Sequence, residues 1–308
     1  MLRTASDHPA APLAAVTTTI IVWGLVSPLI KAASVAGEAM AFYRLAIGAV
    51  LLLAVVAFTR RSLRSAIWPW GLIAGVIFGV NLLCFVLAIK ETTVANATLI
   101  GALQPAIVLL VAGPLFGEIV TGRDVALVGI AIAGLAVVIA SSAGSPEWHP
   151  LGDALAVGAV LTYTGYFLVS KRVRTTDSTL EYITVVHAVA ALVVMPAILI
   201  RPSELGGLDA QDIATILFFA LVSGTLGQLV IGWAHRYVDV SLSSLMMLGV
   251  PVVASIAAWA MLGESLGPLQ IAGATLTLAA IGAMVIRRPT SSTPVEEAIA
   301  PLTARAAE

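Results

Sequence analysis

The sequence predicts an all-α integral membrane protein whose ten transmembrane helices form two inverted five-helix repeats. Three observations lead to this fold class: the composition, the spacing of apolar runs, and a pattern that recurs in each half. Of the 308 residues, 59% are hydrophobic and 11% are charged, against roughly 25% charged in soluble domains. So few charges cannot cover a soluble domain of this length, and a net charge of −1 provides no basic patch. A soluble enzyme, a nucleic-acid-binding protein and a disordered scaffold are therefore excluded.

Ten apolar runs are long enough to cross a membrane, which requires about 20 residues in a helix. Charged residues, prolines and glycines separate them. The runs are residues 13–31, 38–58, 67–89, 94–116, 123–142, 152–171, 179–200, 211–234, 240–262 and 267–286. The first run lacks a small-residue cleavage site, so it is interpreted as a retained helix rather than a signal peptide. Residues 1–12 and 288–308 are predicted to be cytoplasmic tails, the second of them disordered.

The positions of Lys and Arg predict the orientation, because basic loops stay in the cytoplasm. If the N-terminus is inside, only Lys31, Lys90 and Arg201 fall in outer loops, and Arg44 lies within a span. All other Lys and Arg residues then fall on the inner side. Both termini are therefore predicted to be cytoplasmic.

One sequence pattern occurs in both halves of the chain. Pro105 and Glu118 recur 146 residues later as Pro251 and Glu264. Further pairs at or near this offset are Val94 with Val240, Lys31 with Lys171, Glu38 with Glu181, and Arg44 with His187. The two copies correspond to residues 13–142 and 152–287, with five spans each, and an odd number of spans inserts the second copy upside down. Inverted repeats are typical of secondary transporters, whose substrate sites lie near the membrane midplane.

Several motifs resemble a known family. They are Trp23-Gly24 with Lys31, Phe42-Tyr43-Arg44, Asn81 to Ala88, and the repeated proline and Gly-Glu pattern of spans 4 and 9. Over nearly all of residues 13–287 the chain resembles the drug/metabolite transporter superfamily, in its EamA-domain group. The resemblance implies ten helices in two inverted repeats and the export of small organic metabolites, with amino-acid exporters prominent among bacterial members. The bacterial inner membrane is the implied location. His187 departs from the pattern, since the first repeat has Arg44 there.

Polar and aromatic residues at depth are the candidates for substrate binding, because a pocket for an amphipathic metabolite combines apolar walls with a few hydrogen-bonding groups. They are Trp23, Ser27, Asn81, Gln104, Tyr163, Tyr166, His187 and Gln228. Pro105 and Pro251 are predicted to kink their helices beside the cavity. The amides have an alternative role as interhelical hydrogen bonds, worth about 0.6 kcal/mol on average. His187 can be a structural histidine, and the prolines can bend helices for packing alone.

Arg44 is an ionisable residue within a span, which makes it a functional candidate by default. It lies roughly 9 Å from the outer end of span 2 at 1.5 Å per residue. Snorkelling to the surface and an ion pair with Glu38 are the alternatives. On span 3, Gly71, Gly75 and Gly79 form a face that permits close helix packing, within the chain or in a dimer.

The absence of several motifs limits the mechanism. No carboxylate lies at mid-depth and no phosphate-binding loop for ATP is present, which favours a facilitator or exchanger. Because Arg44 is the one cation at depth, a neutral or zwitterionic substrate is favoured over a sugar nucleotide. A proton-coupled antiporter that uses His187 is the alternative. The sequence has no His-Glu-x-x-His or Gly-x-Ser-x-Gly motif and no selectivity filter, so an intramembrane enzyme or a channel is a remote alternative. We expect no catalytic residues, cofactor or metal. The expected partners are a small molecule and the lipid bilayer, without nucleic acid, and the expected state is a monomer or weak dimer.

Overall fold

The computed structural model describes residues 10–63, 68–104, 106–107, 121–142, 148–173, 179–200, 207–227, 230, 234 and 246–287. Within these residues the chain is helical, and we number its helices in chain order. They are α1 (Ala10–Ala32), α2 (Gly37–Phe58), α3 (Trp68–Glu91), α4 (Val94–Gly101), α5 (Gly122–Ser142), α6 (Pro150–Val173), α7 (Thr179–Ile200), α8 (Ala210–Leu217), α9 (Gly249–Leu262) and α10 (Pro268–Arg287). Phe218–Leu226 continue α8 as a π-helix, called the π segment below. Each predicted span contains one of these helices.

Local chemistry explains where several helices begin and end. The hydroxyl of Thr93 accepts a hydrogen bond from the backbone N–H of Asn96 and so caps the start of α4. The carboxylate of Asp209 caps α8 in the same way, through the N–H of Asp212. Both side chains satisfy N–H groups that have no partner within the first turn. Gly263 ends α9 with φ of 72°, a left-handed conformation that favours glycine.

The outer surface of the helix bundle is apolar. Six helices (α1, α2, α3, α5, α6 and α7) are long and apolar enough to cross a membrane, and α8 with the π segment, α9 and α10 contain shorter apolar stretches. Large apolar side chains such as Phe58, Ile200 and Trp259 are fully or largely exposed. A soluble protein rarely exposes such contiguous apolar surface. Together with the family relationship reported below, this surface identifies a multi-pass membrane protein.

The contacts between the two halves of the chain follow a simple rule in the described residues. Three contacts join helices at equivalent positions in the two halves: α2 with α7, α4 with α9, and α5 with α10. The others occur as exchanged pairs. The contact of α3 with α6 corresponds to the contact of α1 with the π segment. The contact of α3 with α7 corresponds to that of α2 with the π segment, and the contact of α4 with α6 corresponds to that of α1 with α9. Exchanging the halves therefore converts each of these contacts into another contact that is present, although the exchanged contacts differ in extent.

Glycines allow the closest helix packing. A Cβ atom at Gly75 would lie 2.6 Å from the Cβ of Val189 on α7, and one at Gly79 would lie 2.9 Å from the carbonyl oxygen of Ala190. Gly134 on α5 and Gly273 on α10 face each other in the same way, since a Cβ on either would lie within 2.8 Å of the other's carbonyl oxygen. Packing of the α3 glycine face within the chain, one of the two predicted alternatives, is confirmed for Gly75 and Gly79.

Candidate substrate-binding site

Arg44 lies inside the helix bundle. It is two turns from the start of α2 on the side that faces α7 and the π segment, and only 7% of its surface is exposed. The side chain does not snorkel, because its guanidinium carbon lies 4.6 Å from the ring centroid of Phe219 and 5.7 Å from that of Phe78. Arg44 is thus held between rings from α3 and from the π segment.

The rings around Arg44 form a continuous aromatic cluster. Phe78 lies 4.8 Å from Tyr166 and 5.6 Å from His187, centroid to centroid, and Tyr166 lies 6.0 Å from Tyr163. These side chains come from α3, α6 and α7, so at least two helices of each half contribute to the site. We call Arg44, Phe78, Tyr163, Tyr166, His187 and Phe219 the arginine chamber.

The guanidinium of Arg44 has hydrogen-bond donors that no acceptor satisfies. Nε and Nη1 are buried and have no partner. The expected ion pair with Glu38 is absent, since the ion pairs among the described residues join Lys31 with Glu264 and Arg61 with Glu181. Helical geometry explains this, because six residues at 100° each place Glu38 about 120° away around α2. Aromatic faces attract a cation but offer no oxygen acceptor to its N–H groups.

His187 packs directly beside Arg44 in the arginine chamber. A Cβ atom at Gly48, one turn after Arg44, would lie 3.0 Å from Cδ2 of the imidazole. The Nδ1–H of His187 donates to the carbonyl oxygen of Ile183 at 3.0 Å, because a carbonyl can only accept. This bond fixes the ring and leaves Nε2 as the second polar atom of the imidazole. The sequence-equivalent pair Arg44 and His187 therefore meets where the equivalent helices α2 and α7 pack.

The backbone of the π segment lies close to the side chains of Trp23 and Arg44. The indole N–H of Trp23 donates to the carbonyl oxygen of Ser223 at 3.2 Å. A Cβ atom at Gly224 would lie 3.5 Å from Nε and 3.6 Å from Nη2 of Arg44. The Nε–Nη2 edge of the guanidinium therefore lies against the backbone of the π segment at Gly224. Short π-helices are frequent at functional sites.

The remaining predicted residues are placed differently. Asn81 is buried, and its amide donates to the carbonyl oxygen of Ala159 at 2.7 Å, which is the interhelical bond considered as its alternative role. Gln104 is half-buried in the short stretch after α4. Tyr163 joins the chamber through its ring contact with Tyr166. Pro105 and Gln228 lie outside the described residues.

Both halves interrupt a helix at equivalent positions. α4 ends at Gly101, and Ala102 and Leu103 form a turn before helical residues resume. In the second half Met246 and Met247 are helical, Leu248 is a turn and α9 begins at Gly249. Pro251 therefore lies in the first turn of α9, where its missing N–H costs no intrahelical bond. The break lies at Leu248, three residues before Pro251, and the kink predicted at the proline stays a prediction.

Charged groups at one end of the bundle are paired. Lys31 contacts Glu264 at 3.1 Å and donates to the carbonyl oxygen of Thr92, while Glu264 accepts from the backbone N–H of Val94 at 3.0 Å. Asp212 accepts from the N–H and hydroxyl of Ser34 at 2.8 and 2.6 Å. These contacts connect the end of α1 to α4, α8 and α9. We call Lys31, Ser34, Thr92, Asp212 and Glu264 the Lys31 end.

Sequence reasoning missed part of this site. Phe78, Phe219 and Gly224 carry no motif, and aromatic residues in spans are mostly packing residues. One signal was available for Arg44: it is the ionisable residue deepest in the first half, and its sequence equivalent is titratable as well.

A separate groove of about 450 Å³ between α2 and Leu221 of the π segment is lined by apolar side chains, and it has no polar group to orient a metabolite.

One family model matches this chain. The model of the EamA-like transporter family matches twice, at residues 11–140 and at residues 150–286. The two matches coincide closely with the two halves whose contacts are exchanged above. A crystal structure aligns with a TM-score of 0.60 at 19% identity, over 91% of this chain and 99% of the solved chain, which shows that the fold occurs among solved structures.

Three curated relatives show similar sequences. The chain is 27% identical to the uncharacterized transporter YyaM of Bacillus subtilis, over 84% of this chain and 88% of the relative. It is also 27% identical to an uncharacterized transporter of Archaeoglobus fulgidus, over 88% of this chain and 97% of the relative. A probable terminal-alkyne amino-acid exporter of Streptantibioticus cattleyicolor is 25% identical over 63% of this chain and 64% of the relative.

Proposed function

The chain belongs to the EamA-like transporter family, and from that premise we propose that it exports small organic metabolites, most of all amino acids, across the bacterial inner membrane. It acts by alternating access as a facilitator or exchanger, with both termini in the cytoplasm. The Lys31 end then faces outward. The amino-acid assignment is supported by the similarity to one relative, a probable terminal-alkyne amino-acid exporter.

One observation carries the mechanism: exchanging the two halves converts each of the helix contacts described above into another contact that is present. Two similar halves with five helices each insert in opposite orientations, so each can adopt the packing of the other. The exchange gives an inward-open and an outward-open state of comparable free energy. The substrate site then lies where α2 and α7 meet, which is the position of the arginine chamber.

Counterflow in proteoliposomes tests this function. Vesicles loaded with unlabelled L-leucine or L-phenylalanine receive the labelled amino acid outside, with and without an imposed pH gradient. We expect saturable uptake that ignores the gradient, because no described carboxylate lies at mid-depth to carry a coupling ion. Absence of counterflow for every amino acid in a broad panel would contradict amino-acid export while leaving the family assignment in place.

A proton-coupled antiporter is the second candidate, favoured by the position of His187 beside Arg44. In that case uptake follows the pH gradient, and His187→Gln removes the dependence without removing counterflow. Equal gradient dependence in wild type and His187→Gln would exclude His187 as the coupling residue.

A further inference from the structure

We propose that Arg44 binds the carboxylate of the transported metabolite, so that the protein selects organic acids and amino acids over the corresponding amines. This inference rests on the proposed transport function and names the chemical group that its site recognises. The observation behind it is a guanidinium, buried in the centre of the bundle, with two N–H-bearing nitrogens that the protein leaves without acceptors.

An unsatisfied buried guanidinium is costly. Removing a charge from water costs several kcal/mol even after relaxation, and an unpaired buried donor adds a further penalty. The rings of Phe219 and Phe78, whose centroids lie 4.6 and 5.7 Å from the guanidinium carbon, offset part of that cost through cation–π attraction. The in-plane N–H groups still require an oxygen acceptor, and no described carboxylate supplies one within ion-pair distance. An anion that arrives from solution completes this environment.

The chamber favours a single carboxylate over a phosphate. Arg44 is the one permanently charged residue among the chamber's residues, so the site neutralises one negative charge, whereas a phosphate group carries nearly two. Carboxylates match the planar guanidinium fork through two parallel hydrogen bonds. Each edge that can form such a pair, Nε–Nη2 or Nη1–Nη2, contains one of the two nitrogens without an acceptor. Phe78, Tyr166 and Phe219 provide apolar surface for the rest of the metabolite.

The first test compares three ligands on the unmodified protein. L-phenylalanine, 3-phenylpropionate and phenethylamine share one carbon frame and differ in their carboxylate and amino groups. We expect the first two to raise the unfolding temperature of the purified protein in detergent, or its affinity in a binding titration, and phenethylamine to have no effect. The aliphatic series L-leucine, 4-methylpentanoate and isopentylamine repeats the comparison. Equal binding of amines and acids, or no binding of any acid, would overturn the inference.

The second test assigns the effect to Arg44. In Arg44→Met, affinity for both acids is expected to fall about 10- to 100-fold, as for the loss of a charged hydrogen bond. Arg44→Lys keeps the charge without the fork and is expected to retain intermediate affinity. Arg123→Met, at an exposed position near the start of α5, is the matched control and is expected to bind like the wild type. Unchanged acid affinity in Arg44→Met would overturn the inference.

Counterflow separates this inference from the proposed function: acids that bind through Arg44 without amino-acid counterflow would refute amino-acid export and support the carboxylate site. Intact counterflow in Arg44→Met would support amino-acid transport and refute the carboxylate site at Arg44.

Discussion

Lys31 and Arg44 are both basic residues in the first half of the chain, and the protein treats them in opposite ways. Lys31 has a carboxylate at 3.1 Å and a carbonyl oxygen as partners. Arg44 has aromatic rings and two donors without acceptors. The first arrangement holds helices together, whereas the second leaves a charge available to a ligand. Binding sites in transporters are expected where stability is given up, and the difference between these residues is the reason that we propose the substrate site at Arg44.

The largest stability effect is expected at the Lys31 end. Glu264→Gln keeps an acceptor for the N–H of Val94 and removes the charge that faces Lys31. Breaking a buried ion pair by neutralising one partner costs about 3 kcal/mol, which should lower the unfolding temperature of the purified protein clearly. The double variant Lys31→Met/Glu264→Gln should recover part of the loss. A single variant as stable as the wild type would show that the pair contributes nothing.

Asp212 tests the same end with hydrogen bonds in place of an ion pair. Asp212→Ala removes the acceptor for Ser34 and for the backbone N–H of Val35, at 2.8 and 3.3 Å. The expected cost is about 2 kcal/mol. Hydrogen exchange should accelerate at Ser34 and Val35, and Asp212→Asn, which retains one acceptor, should show a smaller change. Unaltered exchange in Asp212→Ala would contradict the role of this carboxylate.

Asn81 separates packing from binding near the chamber. Asn81→Ala removes a single interhelical hydrogen bond to Ala159, so a cost of about 0.6 kcal/mol is expected. Because Asn81 is also a predicted substrate-binding residue, Gln104→Ala and Asn81→Ala are expected to impair counterflow while the protein stays folded. Normal counterflow in both variants would remove these amides from the site and leave Asn81 with its structural bond.

The helices were predictable from the sequence because the bilayer fixes their length and excludes charge. The predicted run at 38–58 and the helix Gly37–Phe58 differ by one residue. The bounds of the fourth and ninth spans were less predictable, because the turns after Gly101 and before Gly249 interrupt sequence runs that remain apolar. The π segment was not predictable, because its hydrogen-bond register leaves no periodic sequence signal.

The candidate site was predictable only in part. Arg44 and His187 were identifiable as rare ionisable residues within spans, and both lie in the chamber. The neighbours of Arg44 come from positions far along the chain, such as Phe78 and Phe219, and their proximity depends on how α3 and the π segment pack. Sequence spacing suggested Glu38 as a partner for Arg44, whereas helical geometry places Glu38 on a different side of α2.

The most direct test compares the unfolding of Arg44→Met and Lys31→Met, measured side by side in the same detergent without ligand. A charge that is kept for a ligand costs stability when the ligand is absent, so Arg44→Met should unfold at the wild-type temperature or above it. Lys31→Met should unfold clearly below it, because Glu264 loses its partner. A loss of stability in Arg44→Met as large as that in Lys31→Met would mean that Arg44 is a structural residue, and the distinction between the two regions would fail.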